Sequence, residues 1–208
     1  MLTASLLCTA IAAAANWWSR IRPTGNLELF SKPATTIFVI WVAIASDGPR
    51  PATILALIGL LFCLVGDVAL LPLVDRFIVG LAAFLIGHIF FVAMFAVLGL
   101  RHLSWGVPAA AVVIALGWGV ARPIVAGAAA NKPQLQIPVV AYFAVISTMF
   151  IVAAMTGNGW AIAGASAFVI SDSLLGRGEF VRELRWMHVA IMVTYHAALL
   201  GLALSLAL

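Results

Sequence analysis

The chain is broken into eight long stretches almost free of charge, at residues 2–18, 33–46, 51–71, 77–100, 105–121, 135–156, 160–175 and 187–208. A helix needs about 20 mostly apolar residues to cross the hydrocarbon core of a bilayer. The second stretch is short for that task unless its helix starts ahead of Pro33. None of the stretches shows the alternation of apolar and polar residues that a lipid-facing barrel strand requires. Only 9% of the residues are charged, against about 25% in soluble domains, too few to cover a water-soluble globule. The expectation is an all-α, polytopic transmembrane helical bundle of about eight helices, a single transmembrane domain over residues 1–208.

Charge placement says more than the net charge of +4. No cation precedes the first apolar stretch, and Arg20 and Arg22 follow it, so it reads as a retained helix and not as a cleaved leader. Arg20, Arg22, Lys32, Arg76, Arg122, Lys132, Arg177, Arg182 and Arg185 fall on one side of the alternating connections, and only Arg50 and Arg101 on the other. Positive charge collects in the cytoplasm. Both termini are therefore expected outside it, most simply in a bacterial inner membrane. No basic stripe interleaved with aromatics exists, which excludes nucleic acid as a partner. Cys8 and Cys63 lie within apolar stretches at no metal-binding spacing.

Against this background the polar residues inside the stretches stand out. An ionisable side chain within a spanning helix costs at least about 2.5–3.5 kcal/mol, so it is retained for a reason. The candidates are Asp67, His88, Asp172 and His196, with Tyr142 and Tyr195 as polar aromatics. At about 1.5 Å per residue, both aspartates lie roughly 5–6 Å in from the cytoplasmic end, the tyrosines roughly 10–12 Å and His88 roughly 16 Å. Asp67 shares a helical stripe with Gly59, Cys63 and Gly66, as Asp172 does with Gly164, Phe168 and Ser171. Stripes of small residues face protein, not lipid. A polar pocket open to the cytoplasmic leaflet is expected, with the two aspartates at matching depth.

The halves also echo one another. Lys32-Pro33 recurs as Lys132-Pro133, and in each half an aspartate is followed on the next helix by a histidine. That pattern fits a parallel repeat of four helices plus four. Taken alone, Lys32 reads as an interfacial anchor and Pro33 as a helix-start residue. A metal site is not indicated: His188 and His196 are eight residues apart, about 80° out of line on a helix. Neither is a serine nucleophile, since no Gly-x-Ser-x-Gly elbow occurs. The groups fit for proton chemistry are the two carboxylates.

These residues resemble the YhhN-type lysoplasmalogenases, small eight-helix membrane enzymes. The likeness runs through Lys32-Pro33, Gly66-Asp67-Val68-Ala69-Leu70, Phe77-Ile78-Val79-Gly80, Phe84 and His88, then Tyr142, Ser171-Asp172-Ser173-Leu174 and Thr194-Tyr195. It covers most of the chain from about residue 28. The chain departs from that pattern at His196 and Leu199, where a second tyrosine and a glutamine are usual, and at Phe91, where tyrosine is common. The resemblance implies hydrolysis of the vinyl ether bond of a lysophospholipid, the lysoplasmalogen, drawn from membrane lipid, with no metal and no organic cofactor.

Such a reaction needs one protonated carboxyl and one ionised carboxylate, as glycosidases do. Asp67 and Asp172 are the expected catalytic pair. His88, Tyr142, Ser171 and Tyr195 are expected to bind and orient, and Lys32 to meet the lipid phosphate. The alternative is a proton- or cation-coupled transporter or channel built on the same aspartates. An intramembrane aspartyl protease is disfavoured by Leu64, which stands where that pattern has glycine. A lipid-binding scaffold without turnover is the remaining possibility.

Overall fold

The structure, a computed structural model, describes residues 1–22 and 26–207. Eight long helices and no strand are found among the described residues. They are α1 (Leu2–Ile21), α2 (Leu27–Ala45), α3 (Arg50–Ala69), α4 (Phe77–Leu98), α5 (Leu103–Asn131), α6 (Gln136–Thr156), α7 (Gly159–Phe180) and α8 (Met187–Leu204). The last expected stretch ends at Leu208, which lies outside the described residues. Helices α2 to α8 are long and apolar enough to cross a membrane. The chain is an integral membrane protein.

Helix α1 is the exception among the eight expected spans. It has the length but falls short in apolarity, because Ser5, Thr9, Asn16 and Ser19 interrupt it. All four of these are buried, while Leu7, Ile11, Trp18 and Ile21 face outward. The helix is thus polar inward and apolar outward, the arrangement lipid favours and averaged hydropathy undervalues. Asn16 donates to Ser31 of α2 at 3.2 Å.

Two of the expected boundaries that need correcting bear on the site. Pro33 does not start a helix: α2 begins at Leu27, which places Lys32 in the second turn, 3% exposed. The carbonyl that Pro33 leaves free lies near the N-terminal end of α2, where the loss of one helical bond is least costly. Helix α7 runs past residue 175 to Phe180, so Arg177 is helical. Asp172 is then eight residues from its helix end, roughly 12 Å, while Asp67 is two residues from the end of α3, roughly 3 Å. The expected match in depth does not hold along the helices.

Close packing comes from small residues. Helices α7 and α8 cross where a Cβ on Gly201 would meet the Gly164 Cα at 2.7 Å, and α3 and α4 cross where a Cβ on Gly87 would lie 3.0 Å from the Gly59 carbonyl oxygen. In lipid, where chains outside are as apolar as chains inside, such fits supply much of the association. The centre is filled by Leu60, Phe91, Met94, Phe95, Met149 and Phe168. Around it α2, α3 and α8 pack on one another, α3 on α4, α4 on α6, α6 on α7 and α7 on α8. Helix α5 lies at the periphery; among its described residues only Ala109, Ile124 and Ala128 are buried.

Candidate active site

Asp67 stands in the last turn of α3 with no exposed surface. Its Oδ2 accepts a 2.5 Å hydrogen bond from the Thr36 hydroxyl, and the Lys32 ammonium lies 3.6 Å from its Oδ1. Lys32 and Thr36 are four residues apart on α2 and so project from one face of it. The Tyr195 hydroxyl of α8 comes in beside Asp67. The Tyr195 hydroxyl and Asp67 Oδ1 are both buried, and the nearest polar groups to them are each other and the Lys32 ammonium.

Asp172, on α7, is differently housed. Tyr142 of α6 donates to its Oδ2 at 2.5 Å, and His88 Nε2 of α4 lies 3.8 Å from the same oxygen. His88 Nδ1 is 2.6 Å from the Phe84 carbonyl oxygen. A carbonyl can only accept, so Nδ1 carries the hydrogen and a neutral ring leaves Nε2 as a bare lone pair. That lone pair has no hydrogen-bond partner and faces Asp172. The Phe168 ring packs edge-on against His88 with centroids 4.3 Å apart and against Tyr195 at 5.6 Å, joining the two groups.

The two aspartates, 105 residues apart in sequence, line one cavity of about 200 Å³ together with Lys32, Ser171 and Tyr195. His88 and Tyr142 reach it through Asp172. Ser171 keeps its hydroxyl on the Ile191 carbonyl at 3.1 Å, tying α7 to α8. Arg20, Glu179 and His188 form the more exposed end of the same cavity. Arg20 pairs with Glu28 at 2.6 Å, Glu179 with Lys132, and His188 with Glu183 at 3.3 Å. Two apolar recesses adjoin Asp172, one of about 40 Å³ and one of about 270 Å³.

Sequence reasoning missed Thr36, although its spacing from Lys32 was a usable signal. His196, expected among the intramembrane polar groups, belongs elsewhere. Its Nδ1 accepts from Trp17 Nε1 at 3.0 Å and its ring stacks on that indole, which ties α8 to α1. No three His, Cys, Asp or Glu side chains among the described residues are grouped to hold a metal ion.

The YhhN family model matches residues 27–206. The chain is 32% identical over 170 residues to the human protein named lysoplasmalogenase TMEM86B, covering 80% of this chain and 68% of the human one. To the rat lysoplasmalogenase TMEM86B it is 31% identical over 151 residues, covering 71% of this chain and 59% of the relative. No solved structure gives a significant match.

Proposed function

Because the chain belongs to the YhhN family, we propose that it is a lysoplasmalogenase, hydrolysing the vinyl ether bond of a lysoplasmalogen to a fatty aldehyde and a glycerophospho-base with Asp67 and Asp172 as its carboxyl pair. The observation that carries the assignment of residues is that both aspartates line one polar cavity, with a separate apolar recess adjoining Asp172. A vinyl ether sits at the same kind of boundary, between the glycerol of the headgroup and the start of the hydrocarbon chain.

The surroundings divide the roles. Asp67 faces an ammonium and accepts from a hydroxyl, the environment of an ionised carboxylate. Asp172 has no lysine or arginine within ion-pair distance among the described residues, and it faces a lone pair on His88. A proton on Asp172 suits that neighbour, so Asp172 is the acid. It delivers its proton to the alkene carbon one removed from the ether oxygen, and the other alkene carbon becomes an oxocarbenium ion. Asp67 stabilises that cation and takes a proton from the water that attacks it. The resulting hemiacetal breaks its bond to the glycerol oxygen. That oxygen gains a proton, the hydroxyl loses one, and the aldehyde leaves. One water is consumed and both carboxyl groups return to their starting states.

Tyr142 holds Asp172 in place, the His88 lone pair faces it from 3.8 Å, and the Tyr195 hydroxyl stands beside Asp67. Lys32 pairs with Asp67, and at the mouth Arg20 and His188, though paired with Glu28 and Glu183, bring further positive charge to where the phosphate would lie. The excess of nine cations against two supports a mouth in the cytoplasmic leaflet, with both termini outside, most simply in a bacterial inner membrane.

The test is aldehyde release from a lysoplasmalogen by the purified protein beside Asp67→Asn and Asp172→Asn. General acid–base groups contribute roughly 100- to 10,000-fold, so both variants should fall at least a hundredfold while eluting as folded protein. Near-normal turnover by either would remove that residue from the mechanism.

A further inference from the structure

Three spaces converge on Asp172: the polar cavity, the small apolar recess and the larger one. If the reacting bond lies at Asp172, the headgroup and the hydrocarbon chain must leave it in different directions. Depth along the helices decides which. The polar cavity reaches Glu179 on α7 and Arg20 on α1, at the charged ends of those helices. The small recess runs toward the same end, past Gly176 and Phe180 of α7 and Val139 of α6. The large recess runs the other way, to Val169 on α7, Ser147 on α6, and Gly117 and Val113 on α5. From Glu179 to Val169 is ten residues, roughly 15 Å along the axis. Only the larger space therefore continues from the reacting bond toward the middle of the membrane, as the chain of a lipid does.

Helix α5, the least buried span, forms the outer wall of this recess. Its buried residues, Ala109, Ile124 and Ala128, lie toward its two ends. Between them runs the π-helical stretch Gly117–Ala121. A π turn inserts an extra residue and shifts the side-chain register between the two halves of a helix. A Cβ on Gly117 would meet nothing within 4 Å. A lipid entering between α5 and its neighbours keeps its chain in hydrocarbon throughout, with no transfer into water.

We propose that the recess between α5, α6 and α7 holds the hydrocarbon chain of the substrate, and that Gly117 and Ser147 set the chain length it accepts. This rests on the reading of the cavity as a vinyl ether hydrolase.

Gly117→Leu and Ser147→Leu, each placing a branched side chain in the recess, test it with octadecenyl and octenyl lysoplasmalogens in nanodiscs. Forcing extra methylenes into a filled space should lower kcat/KM for the long substrate roughly five- to hundredfold relative to the short one. Gly119→Leu, also in open space but outside the recess, should leave the ratio unchanged. Saturated octadecyl and octyl ether analogues, which cannot be protonated at an alkene, should lose affinity in the same order. An equal loss for both lengths in Gly117→Leu and Ser147→Leu would overturn the proposal. So would a length-dependent loss in Gly176→Leu, within the small recess, in their place. If the wild type released no aldehyde, the catalytic reading would fall while binding of the saturated analogues still decided where the chain lies.

Discussion

Asp67 is wholly enclosed where α2, α3 and α8 cross, with an ammonium and a hydroxyl on its oxygens, whereas Asp172 keeps 14% of its side chain exposed and is held by a tyrosine beside a histidine. The first surrounding is suited to hold a charge. The second leaves a carboxyl accessible from three sides and brings no fixed cation to it. An acid and a base of one chemical type can thus be told apart by their neighbours alone, as carboxyl pairs in other hydrolases are. Packing follows the same division: α2 and α8 are inner helices, while the recess beside Asp172 is walled by α5, the least buried span.

The largest effect that separates the two sites is on stability. Removing one member of a buried ion pair costs about 3–5 kcal/mol, so Lys32→Met should unfold well below the wild type on heating in detergent. Adding Asp67→Asn to it should restore part of the loss, since the stranded charge is then gone. A Lys32→Met protein as stable as the wild type would mean that Asp67 is not the charged member. Tyr142→Phe comes next. It removes one hydrogen bond of about 1 kcal/mol, so turnover should drop several-fold with KM little changed and the unfolding temperature close to normal. Loss of a hundredfold or more would show that the hydroxyl does more than position Asp172. Smallest is Tyr195→Phe. Its hydroxyl lies beside the Asp67 carboxylate, so its loss should cost no more than one hydrogen bond, about 1 kcal/mol, while lowering activity modestly. A clear destabilisation would place that hydroxyl in the framework of the Asp67 site.

How much of this was legible in the sequence varied by region. The spans of α3, α4 and α6 were readable within a few residues, because each is a continuous apolar run bounded by charge or turn residues. Helix α2 was misread at its start, since a lysine followed by proline resembles an interface, and only burial against α1, α3 and α8 makes that lysine internal. Helix α5 was cut short at residue 121, where Arg122-Pro123 looks like an end; the chain continues through a π-helical stretch to Asn131. Asp67 and Asp172 were found because charge inside a span is costly enough to be informative without any partner in view. Thr36 was overlooked because a hydroxyl in a membrane helix can be satisfied by its own backbone, as Thr35 is on the Ser31 carbonyl.

What the sequence by itself determined is therefore what a local sum of transfer energies determines: a helical membrane protein, the rough limits of its spans, and which polar residues are out of place in lipid. The tertiary structure alone decided which of those residues meet. It brought Asp67 to Lys32 and Thr36, gave Asp172 to Tyr142 and His88, turned His196 away toward Trp17, and left a recess between α5, α6 and α7. Each of those pairings joins different helices, and their geometry is set by where glycines let backbones approach, which no single stretch of sequence contains.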